Sequence, residues 1–232
     1  MLSINSQSSR SRRGQKQVVS SVRDRTKINI IEAAERLFGL HGITGVSLRQ
    51  ISIEAGSVNN CSIAYHFENL QGLVQAIFKH RLPVIEARRR ELLAAIKAHG
   101  REPSVRDLID ILYTPLTEQV DHCGRCTFAA FLADLSRFAH LVERRKLSEW
   151  TPLAAHVAKA LSTKLPQLSN DQFRRRFAVV NDMVLSGIAR LGNNCRRVRF
   201  DELLDMAVAS LQVGGVVEMH MRVVGPPDTT AS

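Results

Sequence analysis

Side chains that can hydrogen-bond to the edges of nucleic-acid bases are concentrated in residues 47–66, S-L-R-Q-I-S-I-E-A-G-S-V-N-N-C-S-I-A-Y-H. Asn59 and Asn60 carry amides, which suit adenine, and Ser62 carries a hydroxyl that can reach a base or a phosphate. The alternative role for either asparagine is to cap a helix, since a side-chain oxygen can accept from free backbone N–H groups. The residue types therefore favour contact with DNA and leave capping open.

These residues lie on a pattern of two short helices joined by a glycine turn. Ser47 is suited to begin the first helix and Gly56 to end it. The second short helix would run from Asn59 or Asn60 to about His66. Two such helices around a tight turn form the helix-turn-helix scheme, whose second helix fits the major groove of DNA.

Longer helical patterns flank this pair on both sides. Upstream, apolar residues recur at spacings of three and four from about Asp24, and Gly42 should stop that helix. Downstream, Asn69 precedes a long helical pattern that Pro83 should kink or divide. Further helices are predicted near residues 103–121, 125–142, 148–164, 170–192 and 200–222. No alternating strand pattern of useful length occurs, so the predicted fold class is all-α.

Positive charge is concentrated at the N-terminal end. The formal net charge is +10, and residues 1–27, with seven basic residues and one acidic residue, supply +6 of it. This distribution favours a polyanionic partner, with a merely solvated tail as the alternative. The sequence has no apolar run that could span a membrane, no secretory signal pattern and only four cysteines, so we expect a cytoplasmic protein.

Residues 26–78 resemble the tetracycline-repressor (TetR) family of transcriptional regulators. The family's first-helix run, A-x-x-L-F-x-x-x-G, is matched over residues 34–42, and its second-helix run over residues 47–56. Its Y-H-Y-F signature is reduced to Y-H-F at residues 65–67. The resemblance implies an N-terminal three-helix helix-turn-helix DNA-binding domain followed by a C-terminal helical ligand-binding and dimerisation domain.

By this resemblance, DNA contacts would come from both short helices and from basic residues ahead of the first long helix. The expected DNA-binding residues are Arg23, Arg25, Lys27, Ser47, Arg49, Asn59, Asn60, Ser62, Tyr65 and His66. Capping by Ser47 and partial burial of Tyr65 are the alternatives. Leu70 stands where members often carry a phosphate-binding lysine, and Glu68 would repel phosphate. The stretch after Gly56 is one residue longer than usual, which shifts the assignment of base contacts by a position.

A single helix-turn-helix domain binds DNA too weakly to select one site in a genome. We therefore expect a homodimer on a palindromic operator. The helix predicted over residues 170–192 carries an apolar stripe, and the last helix adds further apolar residues. By the resemblance, these two helices correspond to the C-terminal helices that form the four-helix dimer interface in the family. The expected interface residues are Phe173, Phe177, Val180, Val184, Ile188, Leu204, Val208 and Leu211. The alternative is a stripe that faces the protein's own core.

Residues 101–165 would form a chamber for a small-molecule effector of unknown identity, with no cofactor and no metal. Its expected lining is aromatic with few polar groups, as is usual for such pockets. The candidate lining residues are Tyr113, Phe128, Phe131, Phe138, Trp150 and His156. Ordinary core packing explains each of them equally well. A bound ligand would favour a separation of the two DNA-binding domains that fits the half-sites of B-DNA poorly. The helix over residues 69–99 would link the chamber to the DNA-binding domain.

The C-G-R-C sequence at residues 123–126 has the one metal-like spacing. A structural zinc needs four ligands, so His122, His140 and His156 would have to fold together to complete such a site. A redox pair is a second alternative. We favour packed thiols without either role.

The predicted organisation is a disordered basic arm over residues 1–22, a helix-turn-helix DNA-binding domain over 23–70, an effector-binding and dimerisation domain over 71–225, and a flexible tail over 226–232. The expected partners are double-stranded DNA, a second copy and a small ligand, with no membrane. The expected function is sequence-specific, ligand-responsive repression. The alternative is a basic architectural DNA-binding protein or adaptor without an effector. Phosphate-loop, nucleophile-elbow, zinc-protease and dinucleotide motifs do not occur, so we expect no enzyme.

Overall fold

The structure is a computed structural model in which the chain is all-α. It describes the backbone of residues 7–56, 63, 66–136, 138, 144–191 and 197–213, and side chains in these ranges from Asp24 onward, apart from those of residues 144, 145, 197 and 198. These ranges contain helices and no strand, which confirms the predicted fold class. None of their helices is long and apolar enough to cross a membrane.

Nine helices occur within the described residues. They are α1 (Gln7–His41), α2 (Leu48–Glu54), α3 (Leu70–Ala98), α4 (Val105–Thr117), α5 (Thr127–Leu135), α6 (Arg144–Trp150), α7 (Pro152–Thr163), α8 (Asn170–Leu191) and α9 (Arg197–Gln212). Between α2 and α3, the described residues Ile63, His66 and Phe67 are helical, at the place predicted for the second short helix.

Helix α1 begins earlier than its apolar pattern predicts. The pattern predicts a start near Asp24, whereas the helix begins at Gln7. No proline interrupts the segment from Gln7 to His41, and its lysine, arginine and glutamine residues are good helix formers, so the local sequence permits the longer helix. The side chains before Asp24 lie outside the described residues, and the basic arm over residues 1–22 stays a prediction.

Prolines account for two further differences from the predicted helices. Pro83 does not divide α3, which continues from Leu70 to Ala98 with the proline on its exposed side. The helix predicted over residues 148–164 is two helices, because Pro152 opens α7, where its missing N–H costs no helical hydrogen bond. Helices α4 and α5 are also shorter than the predicted 103–121 and 125–142.

Side-chain caps and a glycine set the helix ends around the predicted helix-turn-helix segment over residues 47–66, called the reading head below. Ser47 Oγ accepts from the Gln50 backbone N–H at 3.2 Å, and Gln50 Oε1 accepts from the Ser47 N–H at 2.8 Å. Asn69 Oδ1 accepts from the Gly72 N–H at 2.9 Å, at the start of α3. Gly42 follows α1 with φ +78°, a left-handed conformation that glycine adopts without strain. These three ends lie where the sequence predicts them.

Aromatic side chains of α1, α3 and α5 form the centre of one continuous core. Phe38, Phe78, Phe128 and Phe131 are all buried. The ring centroid of Phe131 lies 6.1 Å from that of Phe38 and 5.8 Å from that of Phe78. The first helix of the predicted DNA-binding domain is therefore packed directly on the larger helical domain.

Helices α1 and α5 also make close main-chain and polar contacts. A Cβ atom built on Gly39 would lie 2.6 Å from the Thr127 carbonyl oxygen, so only glycine fits there without displacement. The Ile43 backbone N–H donates to Asp134 Oδ2 at 2.8 Å. Buried Glu35 accepts from Thr127 Oγ1 at 3.0 Å. Helix α5 therefore fixes the position of α1.

The apolar stripe of α8 and α9 faces the interior of this single chain. The residues of the predicted dimer interface that are buried in it are Phe173, Val180, Val184, Ile188, Leu204 and Leu211, while Phe177 and Val208 are half-buried. The stripe packs α8 against α9 and α5. The structure thus supports the alternative, a stripe that faces the protein's own core.

Candidate nucleic-acid interface and internal cavity

The start of α2 presents a polar, exposed surface. Ser47 caps α2 through its box with Gln50, so the capping role left open by the sequence is present. Ser47, Arg49 and Gln50 are all exposed, and the first turn of α2 contains no acidic residue. An exposed helix start with an arginine and no acidic residue in its first turn is suited to meet a phosphate.

The second short helix rests on the core through two buried side chains. Ile63 and Phe67 are buried, while His66 is half-buried with its ring centroid 5.9 Å from that of Phe67. His66 is thus the one predicted base-reading residue of this helix that the structure describes. The predicted contacts Asn59, Asn60, Ser62 and Tyr65 lie outside the described residues.

A tight turn connects this segment to α3. Glu68 has φ +60°, in the left-handed region, and the Asn69 N–H donates to the Phe67 carbonyl oxygen at 2.6 Å. A Cβ atom built on Gly72 would lie 2.1 Å from the same carbonyl oxygen. The end of the reading head is therefore joined to α3 by a turn with no space for a larger residue at position 72.

The predicted N-terminal contacts belong to α1 itself. Arg25 and Lys27 are exposed side chains within α1, whereas the sequence analysis placed them just before it. The side chain of Arg23 lies outside the described residues. A helical position makes these two cations part of a fixed surface.

A cavity of about 600 Å³ that opens to solvent lies between α3, α4, α5, α6, α7 and α8. Three of the six residues predicted for the chamber line it: Tyr113, Phe128 and Phe138. Phe131 and Trp150 pack into the adjoining core, where the Trp150 ring lies 6.0 Å from that of Phe78. His156 is exposed on α7 and does not line the cavity.

Four lining residues of this cavity had no role, or another role, in the sequence analysis. Phe173 and Phe177, expected between subunits, stack at a centroid distance of 5.5 Å and line the cavity. Arg89 and Asn181 also line it. Both are polar residues of helices whose patterns indicated only an apolar face, so no local signal marks them as lining residues.

The polar groups of the cavity are organised around Arg89, which is 7% exposed. Arg89 Nη1 donates to Glu86 Oε1 and Nη2 to the Leu112 carbonyl oxygen, both at 2.8 Å. The second carboxylate oxygen of Glu86 accepts from the Leu153 N–H at 2.8 Å, at the start of α7. Burial lowers the pKa of Arg89, and its hydrogen bond to Glu86 opposes that shift.

Tyr113 supplies the second polar group of the cavity. Its hydroxyl donates to Asn181 Oδ1 at 3.3 Å, which joins α4 to α8. Burial raises the pKa of Tyr113 well above its ordinary value, so the phenol stays protonated at neutral pH.

The two cysteines of the C-G-R-C sequence have different surroundings. Cys123 is exposed, whereas Cys126 is buried with its Sγ 3.9 Å from the Thr117 carbonyl oxygen. Asp121, His122 and Cys123 could offer three metal ligands, but Asp121 already accepts from the backbone N–H groups of Cys123 and Arg125. A structural zinc takes four ligands, and these residues offer three. The arrangement is that of a hydrogen-bonded turn.

Comparison with known proteins agrees with the N-terminal geometry. Residues 30–77 match the family model described as bacterial regulatory proteins, tetR family. This stretch contains the apolar part of α1, α2, the second short helix and the start of α3. No curated protein sequence matches the chain.

Similar solved structures cover most of the chain at low identity. HlyIIR, a hemolysin II transcriptional regulator, is 19% identical over 82% of this chain and 98% of its own, with a TM-score of 0.44. A HlyIIR mutant with an alanine-substituted segment is 17% identical over 82% and 98%, with a TM-score of 0.49. A putative TetR-family transcriptional regulator from Mesorhizobium loti is 18% identical over 82% and 95%, with a TM-score of 0.45.

Proposed function

Residues 30–77 carry the N-terminal domain of the tetR family of bacterial regulatory proteins, and from this premise we propose a ligand-responsive repressor that binds a palindromic operator as a homodimer. The family match over the capped α2, the second short helix and the tight turn to α3 is the observation that carries the DNA-binding part. DNA-binding transcriptional regulation is the function of this family, while the ligand, the dimer and the sign of regulation are our proposals.

DNA contact is assigned to one side of the N-terminal domain. Arg49 and the Ser47 end of α2 would meet one phosphate strand, and Arg25 and Lys27 on α1 would add charge. His66 would lie at the groove with the predicted residues Asn59, Asn60, Ser62 and Tyr65. The exposure of Ser47, Arg49, Arg25 and Lys27 supports this assignment.

The proposed dimer uses the outward faces of α8 and α9. Val179 of α8 and Met206 of α9 are 69% and 57% exposed, and Val213, directly after α9, is 65% exposed. A second copy packed on this face would place two heads on two half-sites about 34 Å apart. The variant Val179→Glu with Met206→Glu should therefore be monomeric by light scattering.

The proposed switch passes through α5 and α3. Phe128, Leu132 and Leu135 of α5 line the cavity. Thr127 of the same helix donates to Glu35 of α1, and Asp134 accepts from the Ile43 N–H just after α1. A ligand that displaces α5 would therefore displace α1, because their main chains are in contact at Gly39. Helix α3 would carry the same motion from Arg89 to the turn at Glu68.

Fluorescence anisotropy with DNA from the region flanking the protein's own gene tests the central part of this proposal. We expect tighter binding to this DNA than to random competitor at two salt concentrations, and weaker binding by Arg49→Ala. Arg90→Ala, an exposed arginine of α3 outside the proposed DNA and dimer surfaces, is the matched control and should bind like the wild type. A monomeric protein without preference over competitor would refute the proposal. Sequence-specific binding that no candidate ligand changes would favour the architectural alternative.

A further inference from the structure

Arg89 is a buried cation whose hydrogen bonding is incomplete. Two of its three guanidinium nitrogens have protein acceptors, Glu86 Oε1 and the Leu112 carbonyl oxygen. No residue that the structure describes accepts from its Nε–H, although the side chain is only 8% exposed. A buried donor without a partner is destabilising, so native proteins leave few of them. Arg89 lines the 600 Å³ cavity, which is where an acceptor for this group could be held.

The charge of Arg89 is already balanced inside the protein. Glu86 pairs with it at 2.8 Å, and the Leu153 N–H holds the other oxygen of Glu86 at 2.8 Å. The network ties α3 to α4 and α7, so the guanidinium is held in one orientation. Because the pair is neutral as a whole, the open Nε–H calls for an acceptor oxygen and does not require a full second anion.

The rest of the cavity is mainly apolar. Its wall includes Leu82, Leu116, Phe128, Leu132, Phe173 and Phe177. Tyr113 uses its hydroxyl proton on Asn181, so that donor is occupied. Among the described residues of this wall, Arg89 Nε is the one fully buried side-chain nitrogen or oxygen without a hydrogen-bond partner, so it can select a ligand by a polar group that the ligand brings.

We propose that the cavity binds a mainly apolar molecule with one hydrogen-bond acceptor oxygen, and that Arg89 Nε–H donates to that oxygen. The acceptor chemistry is shared by a carboxylate and by a neutral carbonyl or ester. This assignment names the ligand class of the effector cavity and rests on the proposed function.

Three probes of equal chain length test the assignment by calorimetry on the full-length protein: octanoate, methyl octanoate and octylamine. We expect the two acceptor-bearing probes to bind about tenfold to a hundredfold more tightly than octylamine, the range for a hydrogen bond with one ionised partner. Tighter octanoate binding assigns the acceptor as a carboxylate, and tighter ester binding assigns it as a neutral carbonyl. Acceptor-bearing probes that bind no more tightly than octylamine overturn the proposal.

Two variants separate recognition by Arg89 from general burial of the probe. Arg89→Lys keeps a cation for Glu86 and removes the Nε–H, so it should lose most of the preference over octylamine. Arg88→Lys is the matched control: this neighbour on α3 is half-buried, pairs with Glu118 and does not line the cavity, so the variant should keep the preference. An unchanged preference in folded Arg89→Lys overturns the assignment.

A measurement on the wild type covers the case in which Arg89→Lys does not fold. The Arg89 Nε–Hε resonance should shift on addition of octanoate or methyl octanoate and not on addition of octylamine. An unshifted resonance at saturation refutes the contact.

Operator affinity is measured in the same samples. If the probe preference holds while operator affinity is unchanged by probe, the site assignment stands and the effector role fails. If operator binding is specific but the preference is absent, only the assignment fails.

Discussion

The buried pair of Glu35 and Arg81 allows a quantitative test of how α1 is held on the rest of the protein. Glu35 is 1% exposed and accepts from Arg81 Nε at 2.5 Å and Nη2 at 3.1 Å. It also accepts from Thr127 Oγ1 at 3.0 Å. This one carboxylate therefore connects α1, α3 and α5, and its removal should leave the Arg81 charge without its partner.

The size of the effect follows from the exposure of each partner. Breaking a buried ion pair costs about 3–5 kcal/mol, and we expect Glu35→Ala to lie near 3 kcal/mol because the Arg81 side chain keeps 18% exposure to water. Glu35→Gln keeps an acceptor oxygen and should cost about 1–2 kcal/mol. Replacing both partners, as in Glu35→Leu with Arg81→Met, should return the protein to within about 2 kcal/mol of the wild type.

Urea unfolding followed by circular dichroism, at one protein concentration for all variants, measures these free energies. The matched control is Glu54→Ala, which breaks the pair of Arg36 with Glu54 at 2.6 Å, where Glu54 is 44% exposed. This more exposed pair should contribute under about 1 kcal/mol. If Glu35→Ala lost no more stability than Glu54→Ala, the view of Glu35 as the junction of three helices would be refuted.

Three further predictions address the α1–α5 contact, the DNA surface and a helix cap. Gly39→Ala should lower stability by about 1–3 kcal/mol in urea unfolding, because the added Cβ meets the Thr127 oxygen at 2.6 Å; a stabilised variant would contradict this packing. Arg49→Ala should reduce the log–log slope of operator affinity against salt by about 0.9 if it neutralises one phosphate, and an unchanged slope would remove it from the contact surface. The pKa of Asp107 is held below its ordinary value of 3.8 by hydrogen bonds from Arg101 and Ser104. Its stabilisation is therefore complete above 3.8 and lost as pH falls below it, so the stability difference from Asp107→Asn should shrink in acid; a constant difference would contradict this.

Local signals in the sequence were sufficient for the ends of the helices around the reading head. Ser47 and Asn69 cap the helices they precede, and Gly42 ends α1 in the left-handed conformation. Each of these features depends on a few neighbouring residues, so it is readable without tertiary contacts. The family resemblance over residues 26–78 was likewise confirmed by the match over residues 30–77.

Whether the apolar stripe on α8 faces the protein's own core or a second subunit could not be decided from local signals in the sequence. Helical periodicity tells which residues share a face, and a core and a dimer contact need the same kind of face. Val184 and Ile188 are covered by α9 and α5 of their own chain, whereas Phe173 and Phe177 line the cavity. That distinction depends on which helices come together in the fold.

Arg89 was missed for a related reason. In the sequence it is the middle residue of the run Arg88-Arg89-Arg90, which is typical of a solvated helix face. Only the packing of α4 and α7 on α3 buries it and brings the Leu112 carbonyl oxygen to its guanidinium.

The tight turn at Glu68 and Gly72 makes α3 a rigid lever whose long arm, from Arg89 to Leu70, ends at the DNA-reading segment. With a rise of about 1.5 Å per residue, the axial distance from Leu70 to Arg89 is about 29 Å. A tilt of about 4° at the Arg89 end therefore displaces the turn by about 2 Å, a large fraction of a 3.4 Å base-pair step. A side chain in place of Gly72 would widen this turn. A tilt of α3 that begins at the cavity would then displace the DNA-reading segment by a smaller distance.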